Sequence, residues 1–220
     1  MIELKLIDKS YGNQKILDKI SLNIKKGEFI SIVGPSGAGK TTLLNIIGTI
    51  EDFNKSEKSK FLINSQDITK LSDKDLSKFR NDNIGFVFQF HQLLPELTVE
   101  ENILLPTMIK GDEKDSSDKY FIELISILGI DSILNKYPNS ISGGERQRAA
   151  VARAMINKPS ILLADEPTGN LDSKNEEEII SLFKKVNKDL GVTIVLVTHN
   201  LNFSKLADKC FTLKDGKWSE

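Results

Sequence analysis

The stretch Gly34-Pro35-Ser36-Gly37-Ala38-Gly39-Lys40-Thr41 fills the pattern G-x-x-x-x-G-K-[ST] without a mismatch, and Thr42 follows it. Glycines at these positions let the backbone curl so that successive N–H groups point inward. A helix starting directly after them brings its positive dipole end to the same spot. Lys40 then supplies a point charge for the outer phosphates of a nucleotide, Thr41 a hydroxyl suited to magnesium, and Thr42 a further donor to the inner phosphate. The chemistry is that of binding a nucleoside triphosphate.

Further polar residues close apolar runs. Asp165 and Glu166 follow Ile161-Leu162-Leu163-Ala164; an acid at such a strand end holds the magnesium shell, and the next one faces the attacking water. His199 ends Thr193-Ile194-Val195-Leu196-Val197-Thr198, where a neutral imidazole could touch the outermost phosphate. Gln89 ends residues 84–88 and could reach magnesium or the water. Polar residues at neighbouring strand ends make the usual crevice of an α/β site. A second glycine-rich helix start, Ser142-Gly143-Gly144-Glu145, has two readings. Its S-x-x-E spacing is that of a capping box, which explains Ser142 and Glu145. The two glycines cost the helix about 1 kcal/mol each relative to alanine, and they suit a close approach by an anion. One triphosphate is already held at Lys40, so two copies related by a two-fold axis would let each present Ser142, Gly143 and Gly144 to the nucleotide of the other.

Elements must hold these groups. Alternation predicts half-buried antiparallel strands over 2–7 and 20–24, with Tyr11-Gly12-Asn13 as their turn. A strand over 29–33 enters the phosphate loop, and a helix over 40–47 leaves it. Residues 52–60 read as a loop and 61–63 as a strand, before a helix from Ser72 or Asp73 to Arg80 and a strand over 84–88. Thr98 caps a helix over 99–105 that Pro106 interrupts. Further helices are predicted over 120–128, from Ser142 to Met155, and over 175–190. The runs at 161–164 and 193–198 read as buried parallel strands, and 211–213 as a last short one. The resulting fold class is α/β. A parallel core carries an antiparallel β part (1–88 and 156–220 together), and a helical subdomain is inserted over 89–155, within one 220-residue domain.

With 30 basic and 31 acidic residues the formal charge is -1, and only Arg80, Arg146, Arg148 and Arg153 are arginines, so nucleic acid is not an expected partner. A single cysteine, Cys210, excludes a disulfide framework, and its apolar surroundings predict a buried thiol. No run approaches the roughly 18 apolar residues of a membrane span, and the N-terminus lacks a signal-peptide core. The expected location is cytoplasmic, with any membrane attachment through a partner.

Over essentially its whole length the chain resembles the nucleotide-binding subunits of ATP-binding cassette (ABC) transporters. Residues 34–41 resemble the Walker A loop, 161–165 the Walker B strand, Glu166 the catalytic glutamate, Gln89 the Q-loop, and His199 the switch histidine. Asn170-Leu171-Asp172 resembles the D-loop, Tyr11 the aromatic that stacks on adenine, and residues 142–145 the signature motif, with Ile141 for leucine and Glu145 for glutamine. Ala164-Asp165-Glu166-Pro167-Thr168-Gly169-Asn170-Leu171-Asp172 is similar to the group containing the LolD, MacB and FtsE ATPases. Phe88-Gln89-Phe90-His91-Gln92-Leu93-Leu94-Pro95-Glu96-Leu97-Thr98 is most similar to the LolD, lipoprotein-releasing type. The resemblance implies an ABC ATPase with ATP and Mg2+ as cofactors. Lys40, Gln89, Glu166 and His199 would be catalytic, and Thr41, Gln89 and Asp165 would hold the metal. Tyr11, residues 34–42, Ser142, Gly143, Gly144 and Asp172 would bind the nucleotide. It also implies a head-to-tail ATP-sandwich dimer on the inner face of the cell membrane, held there by permease subunits of LolC/LolE, FtsX or MacB type. Phe90, Leu93, Leu94 and Leu97 form an apolar cluster expected at the groove for such a partner.

Overall fold

Side chains alternate in direction along a strand, and in the central sheet of this chain the two sets of side chains face two different cores. The computed structural model describes residues 1–112, 115–169, 173–199 and 204–219. Strands β1 (Ile2–Tyr11) and β2 (Gln14–Ile24) form a hairpin whose turn is Gly12-Asn13, with Tyr11 still paired to Gln14. The strand β3 (Phe29–Val33) follows, then the helix α1 (Lys40–Ile47). Strands β4 (Lys60–Ile63) and β5 (Gln66–Asp67) complete an antiparallel sheet of order β2-β1-β4-β5.

After α2 (Asp73–Asn83), capped by Ser72, the chain enters β6 (Ile84–Val87). The helices α3 (Val99–Lys110), α4 (Lys119–Leu128) and α5 (Gly143–Met155) come next. They are followed by β7 (Ile161–Asp165), α6 (Ser173–Leu190), β8 (Thr193–Thr198), β9 (Lys209–Lys214) and β10 (Lys217–Ser219). The second sheet has the order β10-β9-β3-β8-β7-β6, parallel throughout except for β10. On one face Ile30, Ile32, Leu163, Val195 and Val197 pack with α1 and the antiparallel sheet. On the other, Phe29, Leu162, Ala164, Ile194 and Leu196 pack with the helical segments, including Ile103, Phe121, Val151 and Phe183. Burial on both faces is why these strands read as unbroken apolar runs.

Three sequence expectations need correction. Pro106 does not interrupt α3, which runs on to a left-handed Gly111. Val99, Ile103 and Thr107 are all buried on one face, and the Thr107 hydroxyl donates to Leu104 O at 2.7 Å, so packing outweighs one missing N–H. Cys210 is exposed. Along β9 the side chains of Phe211 and Leu213 turn to the core, which sends Cys210 and Thr212 to the open face. A hairpin partner, β10, adds Trp218 against Phe211, with its indole N–H donating to Ser21 O at 2.8 Å. The acidic strand β7 sits two places from β3, with β8 between them.

Candidate nucleotide-binding site

Five buried residues of β3 deliver the chain to Gly34, and each glycine of the loop does something a side chain would prevent. A Cβ on Gly34 would collide with the Leu213 carbonyl of β9, so the loop leaves the sheet pressed against its neighbour. Gly39, the N-cap of α1, has φ 97°, and a Cβ there would lie 2.9 Å from Ile16 O. Pro35, Ser36 and Gly37 are exposed, whereas Ala38, Gly39 and Lys40 are buried. The start of α1 has no side-chain cap and no acidic residue in its first turn. Lys40 folds back across the loop, its Nζ donating to Gly34 O at 2.8 Å and to Pro35 O at 3.0 Å.

Thr41, on the exposed side of α1, reaches over to β7, where its hydroxyl donates to Asp165 Oδ1 at 3.2 Å. Contact across the intervening β8 is possible because α1 packs over both β7 and β8. Burial raises the Asp165 carboxyl above its usual value, and the charge on Glu166 acts in the same direction. The Thr41 bond and Lys40 oppose the shift. Glu166 has φ 45°, uncommon for a residue with a side chain, and is fixed at both ends. Its N–H donates to Val197 O at 2.9 Å, and its Oε2 accepts from Thr198 Oγ1 at 3.1 Å and the His199 N–H at 3.3 Å. Nδ1 of His199 lies 2.9 Å from the same oxygen. The structure therefore brings Glu166 and His199 together, and Thr41 and Asp165 together, at one end of the sheet. The Gln89 amide packs against Gly169, three residues beyond Glu166. Asp172, with Asn170 and Leu171, lies outside the described residues.

The metal fit is narrower than a preformed cage. Among the described residues no group of three or more His, Cys, Asp or Glu side chains could hold an ion. The Thr41 hydroxyl and Asp165 carboxylate are hard oxygen donors that suit Mg2+ once phosphate oxygens and water complete its shell. At α5 the capping reading holds. Ser142 N–H and Oγ both donate to Glu145 Oε2 at 2.7 Å, and Glu145 N–H donates to Ser142 Oγ at 3.3 Å. That bonding to Ser142 lowers the Glu145 carboxyl below its usual value.

Sequence reasoning overlooked several residues. Thr198 holds Glu166, and its position directly before His199 was the available signal. Arg153 donates to Gln92 O at 2.5 Å and His91 O at 2.7 Å, tying the segment after Gln89 to α5. Tyr11 has two partners, Glu51 and Lys9, that no local sequence pattern marks. The Tyr11 hydroxyl donates to Glu51, and Lys9 Nζ is 2.9 Å from Glu51. The apolar cluster divides. Phe90 and Leu94 are exposed, Leu93 and Leu97 are half-buried, and Leu93 packs into the core. Nearby, Phe86, Phe88, Pro106 and Ile109, with Arg80 and Arg153, line a groove of about 460 Å³.

A glycine-rich loop at the end of a parallel strand, a buried lysine, and acids on a nearby strand define a phosphate-loop nucleotide-binding protein. Residues 17–169 match the ABC transporter family. The lipoprotein-releasing system ATP-binding protein LolD of Bacteroides thetaiotaomicron is 46% identical over 98% of both chains. The bacitracin export ATP-binding protein BceA of Halalkalibacterium halodurans is 43% identical over 99% of this chain and 86% of its own length. Among solved structures, the ATP-binding cassette MJ0796 of Methanocaldococcus jannaschii, as a dimer in a post-hydrolysis state with ADP and Pi, superimposes with a TM-score of 0.88. It is 41% identical, covering 100% of this chain and 97% of that one. The chain belongs to the ABC transporter family, as one of its ATPases.

Proposed function

We propose that this chain is the ATP-hydrolysing subunit of a LolD-type complex. In that complex it powers the release of lipoproteins from the cytoplasmic membrane through partner membrane subunits. Two copies act head to tail, each nucleotide lying between the phosphate loop of one copy and Ser142, Gly143 and Gly144 of the other. No described helix is long and apolar enough to cross a membrane, so the membrane subunits hold the chain at the inner face. They dock at the groove beside Phe86, Phe88 and Ile109, next to exposed Phe90 and Leu94.

In this reading Lys40 leaves the Gly34 and Pro35 carbonyls for the outer phosphates, while Thr42 and the loop N–H groups hold the inner ones. Thr41 and Asp165, with Gln89 at the edge, hold Mg2+, which neutralises phosphate charge when bound. Glu166 orients the water and takes its proton. His199, 2.9 Å from that carboxylate, contacts the outermost phosphate and senses it. Tyr11 stacks on the base. Asp172, which resembles the D-loop aspartate, completes the contact between copies.

One observation carries the hydrolytic reading: Glu166 is held at a left-handed φ of 45°, 2.9 Å from His199, at the sheet end where Thr41 meets Asp165. Lipoprotein release is preferred because LolD proteins of several bacteria are 40–46% identical to this chain over nearly its whole length. The likeness to BceA favours a second reading, export of a peptide antibiotic such as bacitracin. MacB-like efflux and FtsE-like control of cell-wall enzymes are sibling alternatives. The test is reconstitution of the chain with its copurifying membrane subunits in vesicles loaded with a lipoprotein. ATP should drive lipoprotein release. Glu166→Gln should bind ATP, form a stable dimer and release nothing. Release that proceeds without ATP, or a Glu166→Gln chain with parental turnover, refutes the proposal; peptide export in its place supports the second reading.

A further inference from the structure

Tyr11 ends β1 half exposed, which by itself would leave the ring loosely set. Its surroundings prevent that. The hydroxyl donates to Glu51 and lies within hydrogen-bonding reach of the Thr42 side chain. The same Glu51 oxygen is 2.9 Å from Lys9 Nζ. Lys9 also donates to Asp52 O at 2.6 Å, and its ammonium sits 4.9 Å from the centroid of the Tyr11 ring. Side-chain exposure is 13% for Lys9 and 20% for Glu51, so this pair escapes much of the screening that weakens surface ion pairs. Asn45 of α1 adds a side-chain hydrogen bond to the Glu51 carboxylate. The Glu51 N–H donates to Asn45 O at 3.3 Å, in the turn where α1 unwinds past Gly48. The helix that starts at the phosphate loop thus ends at the carboxylate that holds the aromatic.

We infer that Glu51 is the positioning residue for base recognition. It ties the Tyr11 hydroxyl and the Lys9 ammonium to the far end of α1, fixing the ring at a set distance from the phosphate loop. Lys9 covers one side of the ring, and the base stacks on the open side. The inference rests on the reading that Tyr11 stacks on the base, and it adds what makes that stacking productive. The gain is preorganisation: the ring is immobilised before nucleotide arrives, so less ordering remains for binding to accomplish. A phenylalanine could stack but could not be tethered, so the phenol is required for the tether alone.

Five forms of the full chain test this: Tyr11→Ala, Tyr11→Phe, Glu51→Gln, Glu51→Ala and the Tyr11→Phe/Glu51→Ala double variant. Each is titrated with ATP and with inorganic tripolyphosphate, which has phosphates and no base. Tyr11→Ala should weaken ATP most. Tyr11→Phe and Glu51→Ala should each weaken it about three- to tenfold, the range of one hydrogen bond, raising KM while kcat stays within about twofold. The double variant should bind no worse than the weaker single one, because both break the same tether. Tripolyphosphate binding should be unchanged throughout. Because the Glu51 hydrogen bond raises the Tyr11 phenol, Glu51→Gln should bring its ultraviolet titration to lower pH. If Tyr11→Ala weakens ATP while Tyr11→Phe and Glu51→Ala do not, the tether is overturned and the stacking stands. If Tyr11→Ala also binds ATP normally, the stacking falls and the tether with it. If Glu51→Ala weakens tripolyphosphate as much as ATP, the carboxylate acts through α1 on the phosphate loop, and the inference is wrong.

Discussion

At the start of α1 the N-cap is a left-handed glycine, the first turn contains no acid, and the first residue is Lys40. At the start of α5 the N-cap is Ser142, and Glu145 reaches back to bond both its N–H and its hydroxyl. Both starts are glycine-rich and both present a positive dipole end. The first leaves its orphan N–H groups for an outside anion, whereas the second supplies an anion of its own. Under the proposed head-to-tail dimer, the difference would give them separate parts in one cycle. The α1 end would take a triphosphate in a single copy. The α5 end is satisfied alone, and it would share or give up the Glu145 contact to serve the nucleotide of the other copy. Pairing of two copies would then be conditional on a nucleotide that outcompetes a built-in carboxylate.

The sharpest way to break this contrast is at α1. Lys40→Ala should weaken ATP binding by about a hundredfold or more in an equilibrium titration, since a preorganised charge is removed where no other side chain replaces it. Unchanged binding would mean that the α1 terminus holds its anion by backbone alone. Next in size is Asp165→Asn, which should lower magnesium-dependent turnover by at least about a hundredfold. Its effect on stability has the opposite sign. The folded-state pKa of Asp165 is raised, so the native chain binds that proton more tightly than the unfolded chain. The nucleotide-free protein therefore loses stability as pH rises from the unfolded carboxylate value through the higher folded one. At neutral pH Asp165→Asn should melt higher than the parent without nucleotide, and the gain should vanish in acid.

How far these parts could be read in advance depended on how local they are. The phosphate loop and the capping box are contiguous, and spacing alone specified them: β3, α1 and β8 fall at the residues expected. The alternating cores of the central sheet were legible as apolar runs. The order β3-β8-β7 was not, because a crossover connection leaves open which parallel strands become neighbours. Glu51 looked like one more charge before a lysine-rich loop, and only a contact spanning forty positions shows what it does. The left-handed backbone of Glu166 is fixed by its bond to Val197 across the sheet, which no local pattern announces. At Pro106 and Cys210 the surroundings outweigh the local signal: packing on one face of α3 carries the helix past the proline, and side-chain alternation along β9 turns the thiol outward.

At α5 the effects are smaller and sharpen the contrast further. Ser142→Ala removes a cap and should cost about 1 kcal/mol of stability, seen in denaturant unfolding. It should also weaken ATP-dependent dimerisation several-fold when measured in a Glu166→Gln background. A chain that is destabilised yet dimerises normally would reduce Ser142 to a cap.

Glu145→Gln is the subtlest change and the most informative. Glutamine can still close a capping box, so stability at neutral pH should fall by no more than a few tenths of a kcal/mol, the share of an exposed charge at a helix end. The parent's folded pKa at Glu145 is depressed, so its contribution is present above the unfolded carboxylate value and is lost as pH falls through the lower folded one. The variant should lack that acid limb in a melting series. What it removes is the negative charge that competes with the nucleotide of the second copy, and near neutral pH that charge is fully developed in the parent. ATP-dependent association of Glu145→Gln should therefore tighten by about two- to fivefold in sedimentation, the scale of one screened charge beside an anion. It should also show a weaker dependence on salt. Association no tighter than the parent's would mean that the carboxylate at α5 is only a cap, and that the two helix starts differ in stability without differing in what they do for ATP.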